Sequence, residues 1–560
     1  MIRPILVISA LLIASQLLLA CKTNQNTSST KRSTVTARIV HSPGLTELLA
    51  PLRSEFLQAK PVLSDNRAVE IELIARPEFL AAEEIASGEL KVTGWLSTTP
   101  LISYANAHRV NLGPEQNNCT RLFVSPVVVA VPRSKLQFFN PEGQVLSWNA
   151  LFSDLNNLNR SAQNATADDS AVVRRTANSS VGLFLSDPQL SSAGLPALLQ
   201  LSQLASKQRG ENPEARKLTD VVIAQISEDM SFSAGYGVDD YSTLKRTLQS
   251  NSSHSVSFAV TTEQVLSDFN KHTSSAGASP LMALYFESGT YWQTHSLCLS
   301  DADWVEPPER AIVREFVAHV LNPASQLRVK QAGYRPATKQ ALPVTAPLTA
   351  AYGVYLNLPQ RSLAEPSTLI TQELLSRWEQ FKRPAAVLLV MDSSGSTEGA
   401  VLSLGQNELR KIAASASARR HKVGLLTFSA EPKLVVNLST EFGPLINAID
   451  LIKSHGGSAI YDAVRKASEV MLRLPNDEYR KIIVLYTDGG DVNSRNTLAM
   501  LREFLTRRLQ RASIDLIVVG VSGNTRLDDL RSLAEAANGT FFEATLDSVP
   551  DVFRKVRAML

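Results

Sequence analysis

The sequence predicts an α/β protein. Its C-terminal third has the pattern of an open, doubly wound and mostly parallel sheet, and the longer region before it also alternates between strands and helices. Continuous apolar runs occupy residues 385–391, 422–428, 481–487 and 514–521. Such runs are typical of strands that are buried on both faces of a parallel sheet. Between them, apolar residues at helical spacing predict a helix with one buried face: Ile460, Ala463, Val464, Ala467, Met471 and Leu474.

Length and composition indicate a globular protein with several folding units. The chain has 560 residues, of which 44% are hydrophobic and 19% are charged. This length exceeds what one hydrophobic core supports, and we expect about three or four folding units. The formal net charge of +3 is small, and the aromatic residues are not interleaved with clusters of Lys and Arg. The sequence therefore predicts no nucleic-acid partner.

The N-terminus has the pattern of a secretory signal. Arg3 is the only charged residue before Lys22, and residues 5–20 form an almost unbroken apolar run. A span across a bilayer needs about 20 residues, so this run is short for a transmembrane helix. It ends in Leu-Leu-Ala-Cys21, which resembles a bacterial lipobox, in which the cysteine is acylated and becomes the mature N-terminus. The alternative is an ordinary signal peptide followed by an unrelated cysteine.

This resemblance implies a lipoprotein of the bacterial cell envelope, anchored to a membrane and facing the periplasm or the cell exterior. We assign residues 1–20 to the signal peptide and 21–33, rich in Thr, Asn and Ser, to a flexible tether. We then assign 34–338 to an α/β region, 339–382 to a Pro-rich linker and 383–560 to the C-terminal domain. Five prolines in and just before the linker disfavour long regular elements and mark a domain boundary: Pro336, Pro343, Pro347, Pro359 and Pro366.

Oxygen-bearing side chains follow the predicted strands of the C-terminal domain. The first strand leads into Asp392, Ser394 and Ser396, a later loop carries Ser458, and a third strand ends at Asp488. Ligands of open parallel sheets bind at the carboxyl ends of the strands, so we expect these residues at one edge. Hydroxyls and carboxylates suit Mg²⁺, Mn²⁺ or Ca²⁺. A helix cap is the alternative role for Ser396 taken alone.

This set resembles the von Willebrand factor A domain and its metal-ion-dependent adhesion site, Asp-x-Ser-x-Ser with a distant Thr and a distant Asp. The resemblance assigns Asp392, Ser394 and Ser396 to the first loop and Asp488 to the last. Ser458 stands where the family usually has Thr, which keeps the hydroxyl and loses a methyl group. The resemblance implies a cation with one open coordination position, filled in the family by a carboxylate of a protein partner.

Hydrolysis by a metal-bound water is the rival chemistry for such a site. It needs a general base, and the only histidine near these loops is His455. A single neighbouring histidine is more often structural or solvated than catalytic. We therefore expect a binding protein and not an enzyme.

The N-terminal region resembles bacterial extracellular solute-binding proteins of the two-lobe, periplasmic type. The resemblance rests on the order of short segments, among them 38–42, 125–131, 257–262 and 332–336. In that family two strands cross between the lobes, here 125–131 and 295–300. That placement brings Cys119 and Cys298 together and implies a disulfide between them. Two unpaired cysteines are the alternative.

Hydroxyl residues in comparable loops are candidates for solute binding. Ser191 and Ser192 precede a predicted helix and would offer hydroxyls and backbone N–H groups to an anion. Ser42 and Thr98 occupy similar positions after predicted strands. Plain helix capping is the alternative. The sequence thus predicts an anchored binding protein that captures an acidic side chain of a protein partner, or alternatively the receptor of a solute transporter with an accessory A domain.

Overall fold

A computed structural model of the protein describes residues 33–59, 63, 67–98, 101, 119–139, 143–152, 180–212, 217–251, 255–273, 280–337, 343–418, 420–475, 479–509, 512–521 and 527–560. The predicted signal peptide, Cys21 and all but the last residue of the predicted tether lie outside the described residues. Among the helices of the described ranges, none is both long enough and apolar enough to cross a bilayer.

The described part of the N-terminal region contains eleven strands that belong to one sheet. They are β1 (Thr34–His41), β2 (Ala68–Ala75), β3 (Gly94–Thr98), β4 (Cys119–Pro132), β5 (Val145–Leu146), β6 (Ser180–Ser186), β7 (Ser233–Gly237), β8 (Ser255–Thr262), β9 (Leu281–Phe286), β10 (Trp292–Leu299) and β11 (Arg335–Pro336). The main order is β2-β1-β3-β10-β4-β8-β6-β7.

Helices cover this sheet and alternate with its strands. They are α1 (Thr46–Gln58), α2 (Glu78–Ser87), α3 (Leu136–Phe139), α4 (Gly194–Gln208), α5 (Asp220–Met230), α6 (Asp240–Gln249), α7 (Glu263–Thr273), α8 (Pro307–Leu321), α9 (Pro323–Gln331) and α10 (Thr368–Phe381). The predicted α/β class is confirmed for this region.

Strand β4 belongs to two halves of the sheet, which we call the first and second lobes. Its beginning pairs with β10 up to Pro126, and its end pairs with β8 and β9 from Val127 onward. The first lobe holds β1, β2, β3 and β10, and the second holds β6, β7, β8 and β9. The chain returns to the first lobe between β9 and β10, through Thr290 and Tyr291. This crossing precedes the segment 295–300 that was predicted to cross between the lobes.

A disulfide joins Cys119 of β4 to Cys298 of β10, as predicted. The two residues are direct partners in the antiparallel pairing of these strands, and their Cα atoms lie 4.0 Å apart. The bond links positions 179 residues apart in the sequence. It therefore ties the entry of β4 to the far end of β10 in the first lobe.

Replacing Cys298 with serine is expected to lower the free energy of unfolding by about 2–4 kcal/mol, because the bond restricts a long loop of the unfolded chain. Urea denaturation of the oxidised protein measures this loss. Cys119→Ser and the double variant should be destabilised equally, since all three remove the same bond. Peptide mapping by mass spectrometry without reductant should find the two cysteine peptides linked, and two free thiols would contradict the pairing.

The Pro-rich segment predicted to be a linker packs closely against the N-terminal region. Leu348, Val354 and Leu358 are buried in a core shared with α7 and β9. Helix α10 follows and buries Trp378 and Phe381 in the largest core cluster of the lobes. The indole N–H of Trp378 donates a hydrogen bond to the carboxylate of Asp187, 2.9 Å away. This segment therefore contributes to the core of the second lobe.

The C-terminal domain is a six-stranded sheet of order β14-β13-β12-β15-β16-β17. Its strands are β12 (Ala385–Asp392), β13 (Lys422–Phe428), β14 (Pro432–Ser439), β15 (Arg480–Thr487), β16 (Ile514–Val521) and β17 (Thr540–Ala544). Only the pairing of β13 with β14 is antiparallel. The mostly parallel sheet predicted from the apolar runs is confirmed.

Helices cover both faces of this sheet, so the side chains of β12 are buried on either side, which explains why its sequence is apolar throughout. The helices are α11 (Ala400–Ala418), α12 (Gly443–Asp450), α13 (Ile460–Leu472), α14 (Leu498–Arg508), α15 (Leu527–Ala536) and α16 (Val549–Met559). Val387 and Leu389 belong to one core cluster, with α11, α12 and α16. Leu388 and Val390 belong to the other, with α13, α14 and α15.

The C-terminal domain contacts the second lobe through polar groups. Arg246 of α6 forms an ion pair with Asp515 of β16 at 2.6 Å. The Tyr236 hydroxyl of β7 accepts a hydrogen bond from the backbone N–H of Arg383, 3.0 Å away. The guanidinium of Arg480 lies 4.5 Å from the centroid of the Tyr236 ring. These contacts join residues that are far apart in sequence.

Candidate metal centre

The candidate site forms where β12 and β15 end side by side. The two strands are parallel neighbours, with Met391 paired to Tyr486, so Asp392 and Asp488 emerge from the same edge of the sheet. Strand β13 lies on the other side of β12 and pairs Phe428 with Asp392. The predicted placement of both aspartates at one edge agrees with this topology.

The first loop is held by its own hydrogen bonds. One carboxylate oxygen of Asp392 accepts the backbone N–H of Ser394 at 2.8 Å, and the other accepts the hydroxyl of Thr487. The hydroxyl of Thr397 donates to the carbonyl of Ser394 at 2.8 Å. Asp392 is completely buried, with 0% of its surface exposed. These bonds fix the carboxylate and turn the chain into a short 3-10 helix over Gly395–Thr397.

Hydroxyls connect this loop to Asp488. The Oγ atoms of Ser394 and Ser396 lie 3.0 Å apart. Ser396 donates its hydroxyl to Oδ1 of Asp488 at 2.9 Å, across 92 positions of the sequence. Three of the five predicted donors are thus linked by direct hydrogen bonds, and Asp392 is joined to them through the backbone of Ser394.

The loop that carries Ser458 is bonded to the first loop by its backbone. The N–H of His455 donates to the carbonyl of Ser393 at 2.8 Å, and the N–H of Gly395 donates to the carbonyl of Gly456 at 3.0 Å. Ser458 is only 6% exposed, and its hydroxyl has no hydrogen-bond partner within the described ranges. A buried hydroxyl without a partner is uncommon in proteins, and this one is free to contact a ligand.

Asn493 is a supporting residue that the sequence did not identify. Its carboxamide oxygen accepts the backbone N–H of Ser458 at 3.1 Å. A Cβ atom at Gly457 would lie 1.6 Å from that oxygen, so only glycine fits there. Asn493 belongs to a polar run directly after the Asp488 turn, and this run was the one signal that pointed to it.

Burial and charge both act on Asp392. Desolvation raises the pKa of its carboxyl, hydrogen bonds from Thr487 and Ser394 lower it, and the nearby charge of Asp488 raises it further. A cation between the two carboxylates would offset this repulsion. No cluster of three or more His, Cys, Asp and Glu side chains exists in the described part of the chain. Hydroxyls must therefore complete any cation site here.

The donor set fits a hard divalent cation. All five side chains present oxygen, which Mg²⁺, Mn²⁺ and Ca²⁺ prefer. The hydroxyl of Ser458 has no partner in the described residues, and the Asp488 carboxylate accepts the hydroxyl of Ser396 through Oδ1, so both side chains have oxygen lone pairs available for a cation. His455 lies on the rim, where its ring nitrogens contact Ser429 Oγ at 3.3 Å and the carbonyl of Lys453 at 3.0 Å.

The residues of this site lie in a segment that matches a known domain family. Residues 386–555 match the family model of the von Willebrand factor type A domain. This stretch is a von Willebrand factor A domain. The match includes all five predicted donor residues. It covers the sheet from β12 to β17 and most of α16.

Solved structures similar to this chain include one relative of the A domain and two of the N-terminal region. A von Willebrand factor type A protein from Catenulispora acidiphila is 19% identical over 32% of this chain and 42% of its own, with a TM-score of 0.28. An ABC transporter structure from Clostridium perfringens is 12% identical over 62% of this chain and 98% of its own, with a TM-score of 0.42. A periplasmic thiamin binding protein is 14% identical over 62% and 94%, with a TM-score of 0.41. No curated protein matches the chain.

The four residues predicted to bind a solute lie at the edges of the two lobes. Ser191 accepts the N–H of Gly194 at 3.0 Å, which is the geometry of a helix cap. Ser192 and Thr98 donate their hydroxyls to carboxylates, those of Asp240 at 2.8 Å and Glu78 at 3.0 Å. The Ser42 hydroxyl is buried and has no partner among the residues that the structure describes. Their role in solute binding stays a prediction.

The burial of Glu78 predicts how the stability of the protein depends on pH. Burial raises the pKa of its carboxyl to about 7, whereas hydrogen bonds from Thr98 and Ser97 lower it. Because the pKa of Glu78 is higher in the folded than in the unfolded protein, the fold favours the protonated carboxyl. This contribution to stability is complete at pH values below the unfolded-state pKa and is lost as the pH rises through about 7. Glu78→Gln should therefore be more stable than wild type at pH ~8, by roughly 1–3 kcal/mol, and similar at pH ~5.

Urea denaturation of both proteins at the two pH values measures this difference. Glu83→Gln is the matched control, because Glu83 is exposed on the same helix. Its stability should follow wild type at both pH values. Equal stability of Glu78→Gln and wild type at pH ~8 would contradict the buried, destabilised carboxylate.

Proposed function

We propose that the A domain holds one divalent cation, Mg²⁺ or alternatively Mn²⁺ or Ca²⁺, and that the protein is an extracytoplasmic binding protein. Asp392, Ser394, Ser396, Ser458 and Asp488 would hold the ion. Two observations support this proposal: the hydrogen bonds that link Ser394, Ser396 and Asp488 at one sheet edge, and the buried hydroxyl of Ser458, which has no partner in the described structure.

A bound cation would supply an electrophilic position for a carboxylate of a protein partner. Asp392 and Asp488 would contribute two negative charges, which equal the charge of a divalent ion, and no further anionic donor is proposed, so the ion would stay electrophilic at its open position. Ser394, Ser396 and Ser458 contribute neutral oxygens. The exposed position of Ser396 at the rim places the open side toward solvent, where an Asp or Glu side chain of the partner can approach.

We propose binding rather than catalysis because His455, the one histidine near these loops among the described residues, is not positioned as a general base. Both ring nitrogens of His455 contact other groups, Ser429 and the carbonyl of Lys453. The hydroxyl of Thr487 is bonded to Asp392 and orients it. Hydrolysis would require a group positioned to take a proton from water, and His455 is held by these contacts.

We further propose that the protein is anchored to a membrane of the bacterial envelope by lipid on Cys21. The charged residue Arg3, the apolar run 5–20 and the Leu-Leu-Ala-Cys21 sequence support this location. A disulfide between Cys119 and Cys298 fits an oxidising compartment. Metabolic labelling with a palmitate analogue tests the anchor, and Cys21→Ala should remove the label.

A receptor for a small solute, with the A domain as an accessory, is the second candidate function. The specific observation in its favour is the set of buried polar groups at the facing edges of the lobes, among them Ser42 and Glu78. The two candidates make different predictions. Partner capture needs the cation site, whereas solute binding needs the lobes.

A pull-down from envelope extracts tests the favoured function. The wild-type protein should retain its partner with Mg²⁺ and lose it with chelator, and the double variant Ser394→Ala, Asp488→Ala should lose it in both conditions. Ser403→Ala, Glu503→Ala is the matched control, because it removes a serine and a carboxylate from exposed helix positions of the same domain. Equal retention of the partner by the site variant, with or without chelator, would refute the proposal.

A further inference from the structure

A second polar cluster lies between the two lobes, on one face of β10. In the first lobe, Ser97 and Thr98 at the end of β3 donate hydroxyls to Oε2 of Glu78, at 3.2 and 3.0 Å. Glu78 opens helix α2 and is 8% exposed. In the second lobe, Ser192 donates its hydroxyl to Oδ2 of Asp240 at 2.8 Å, at the start of α6.

Strand β10 connects these two carboxylates. His295 is the direct antiparallel partner of Thr98, so their side chains share one face of the sheet. Gln293, two residues earlier, is on the same face and donates to the carbonyl of Ser192 at 2.7 Å. The face therefore runs from the Glu78 contact to the Asp240 contact. The charge of Asp240 is one of the causes that raise the pKa of Glu78.

Polar atoms in this cluster lack hydrogen-bond partners. Within the described residues this applies to Oε1 of Glu78, Oδ1 of Asp240, Oγ of Ser42 and both ring nitrogens of His295. Ser42 is 3% exposed and His295 is 0% exposed. Ser42 follows β1, which pairs with β3, so it lies beside the Ser97 and Thr98 edge. Buried polar groups normally have partners, and so many orphaned atoms in one place indicate a ligand.

The chemistry of the cluster selects a positive ligand. No Lys or Arg of the described chain forms an ion pair with Glu78 or Asp240. An anion would be repelled by two carboxylates, whereas a cation would compensate the charges that burial otherwise disfavours.

A metal ion is disfavoured here because it needs several donors around one point. Glu78 and Asp240 belong to different lobes and are held by separate hydroxyls, Glu78 by Ser97 and Thr98 and Asp240 by Ser192. An organic cation is larger and can reach both carboxylates. The aromatic rings of Phe123, His295 and Tyr334, with centroids 4.6–5.2 Å apart, would form an adjacent apolar wall.

We infer that this polar cluster binds a small organic cation, such as a protonated amine or a quaternary ammonium, between Glu78 and Asp240. This inference develops the solute-receptor candidate and does not depend on the cation site of the A domain. It also replaces the predicted anion by a ligand of opposite charge, because the hydroxyls of Thr98 and Ser192 donate to carboxylates.

Titration calorimetry and thermal unfolding of the full-length mature protein test the inference. The positive probes are putrescine, choline and arginine, and the negative ones are succinate and inorganic phosphate, all with EDTA present. At least one positive probe should bind and raise the melting temperature. Glu78→Gln and Asp240→Asn should each weaken that binding roughly tenfold or more, because each removes one buried charge partner.

Two control variants separate this site from others. Glu83→Gln removes an exposed carboxylate from α2 and should bind like wild type. Ser394→Ala, Asp488→Ala disables the proposed A-domain site and should also bind like wild type. Stabilisation by succinate or phosphate instead, affinity unchanged in Glu78→Gln and Asp240→Asn, or no binding of all three cations would overturn the inference.

Discussion

Asp392→Asn is expected to weaken Mg²⁺ binding by roughly 100-fold or more. Loss of a residue that only supports a metal ligand typically costs about 10–100-fold in affinity, and Asp392 would itself carry one of two negative charges at the ion. Asparagine keeps the size of the side chain and an acceptor for the N–H of Ser394, so the loop should keep its conformation. Isothermal titration calorimetry with Mg²⁺ measures the change.

This variant should stay folded without the cation. Burial raises the pKa of the Asp392 carboxyl, so a neutral side chain removes an unfavourable charge from the interior. The expected signature is a melting temperature that no longer rises with Mg²⁺ but is not lowered in its absence. Asp450→Asn is the control, because Asp450 forms an exposed ion pair with Arg410 in the same domain. Equal Mg²⁺ affinity of Asp392→Asn and wild type would place any bound ion elsewhere.

Lys382→Met is expected to lower the free energy of unfolding by about 3–5 kcal/mol, the usual cost of removing one partner of a buried ion pair. The Lys382 side chain is 0% exposed and its Nζ lies 3.8 Å from a carboxylate oxygen of Asp187. It also donates to the carbonyl of Ala558 at 2.7 Å, in the last helix of the A domain. Methionine fills similar space but leaves the Asp187 carboxylate without its charge partner.

Urea denaturation and limited proteolysis measure this effect, because Lys382 joins the second lobe to the A domain. The double variant Lys382→Met, Asp187→Asn should recover part of the lost stability, since it removes the orphaned charge. Arg507→Met is the control, because Arg507 pairs with Glu503 on an exposed helix face and should change stability by less than about 1 kcal/mol. An equal loss of stability in Lys382→Met and Arg507→Met would contradict the prediction that the buried ion pair costs more to break than the exposed one.

Local patterns were sufficient for the A domain. Its four central strands lie within one residue of the predicted runs at each end, because strands buried on both faces need apolar side chains at every position. In a parallel sheet, residues that follow neighbouring strands reach the same edge. The spacing of Asp392, Ser394 and Ser396 after one strand and of Asp488 after another therefore predicted their proximity, which the hydrogen bond from Ser396 to Asp488 agrees with.

The N-terminal region shows where local patterns are insufficient. Hydroxyls before a helix predicted an anion site at Ser191 and Ser192, and the same pattern is produced by a helix cap and by a donor to a carboxylate. The structure places Asp240 against Ser192 and Glu78 against Thr98. Each carboxylate belongs to a different segment from the hydroxyl that it accepts. An acidic residue at the start of a helix is usually exposed, and no sequence pattern shows that Glu78 and Asp240 are buried between the lobes.

The sequence by itself determined the α/β class and the A domain, and it predicted the candidate oxygen donors, because continuous apolar runs and the residues directly after them are local features. Only the tertiary structure decided which distant groups meet. Lys382 with Asp187 and Arg246 with Asp515 are separated by about 200 residues or more, and the Pro-rich segment became part of the core of the second lobe. Such contacts depend on how the lobes and the A domain pack together. A pairing between two single charged residues that are far apart in the chain produces no periodic pattern, so the sequence does not reveal it.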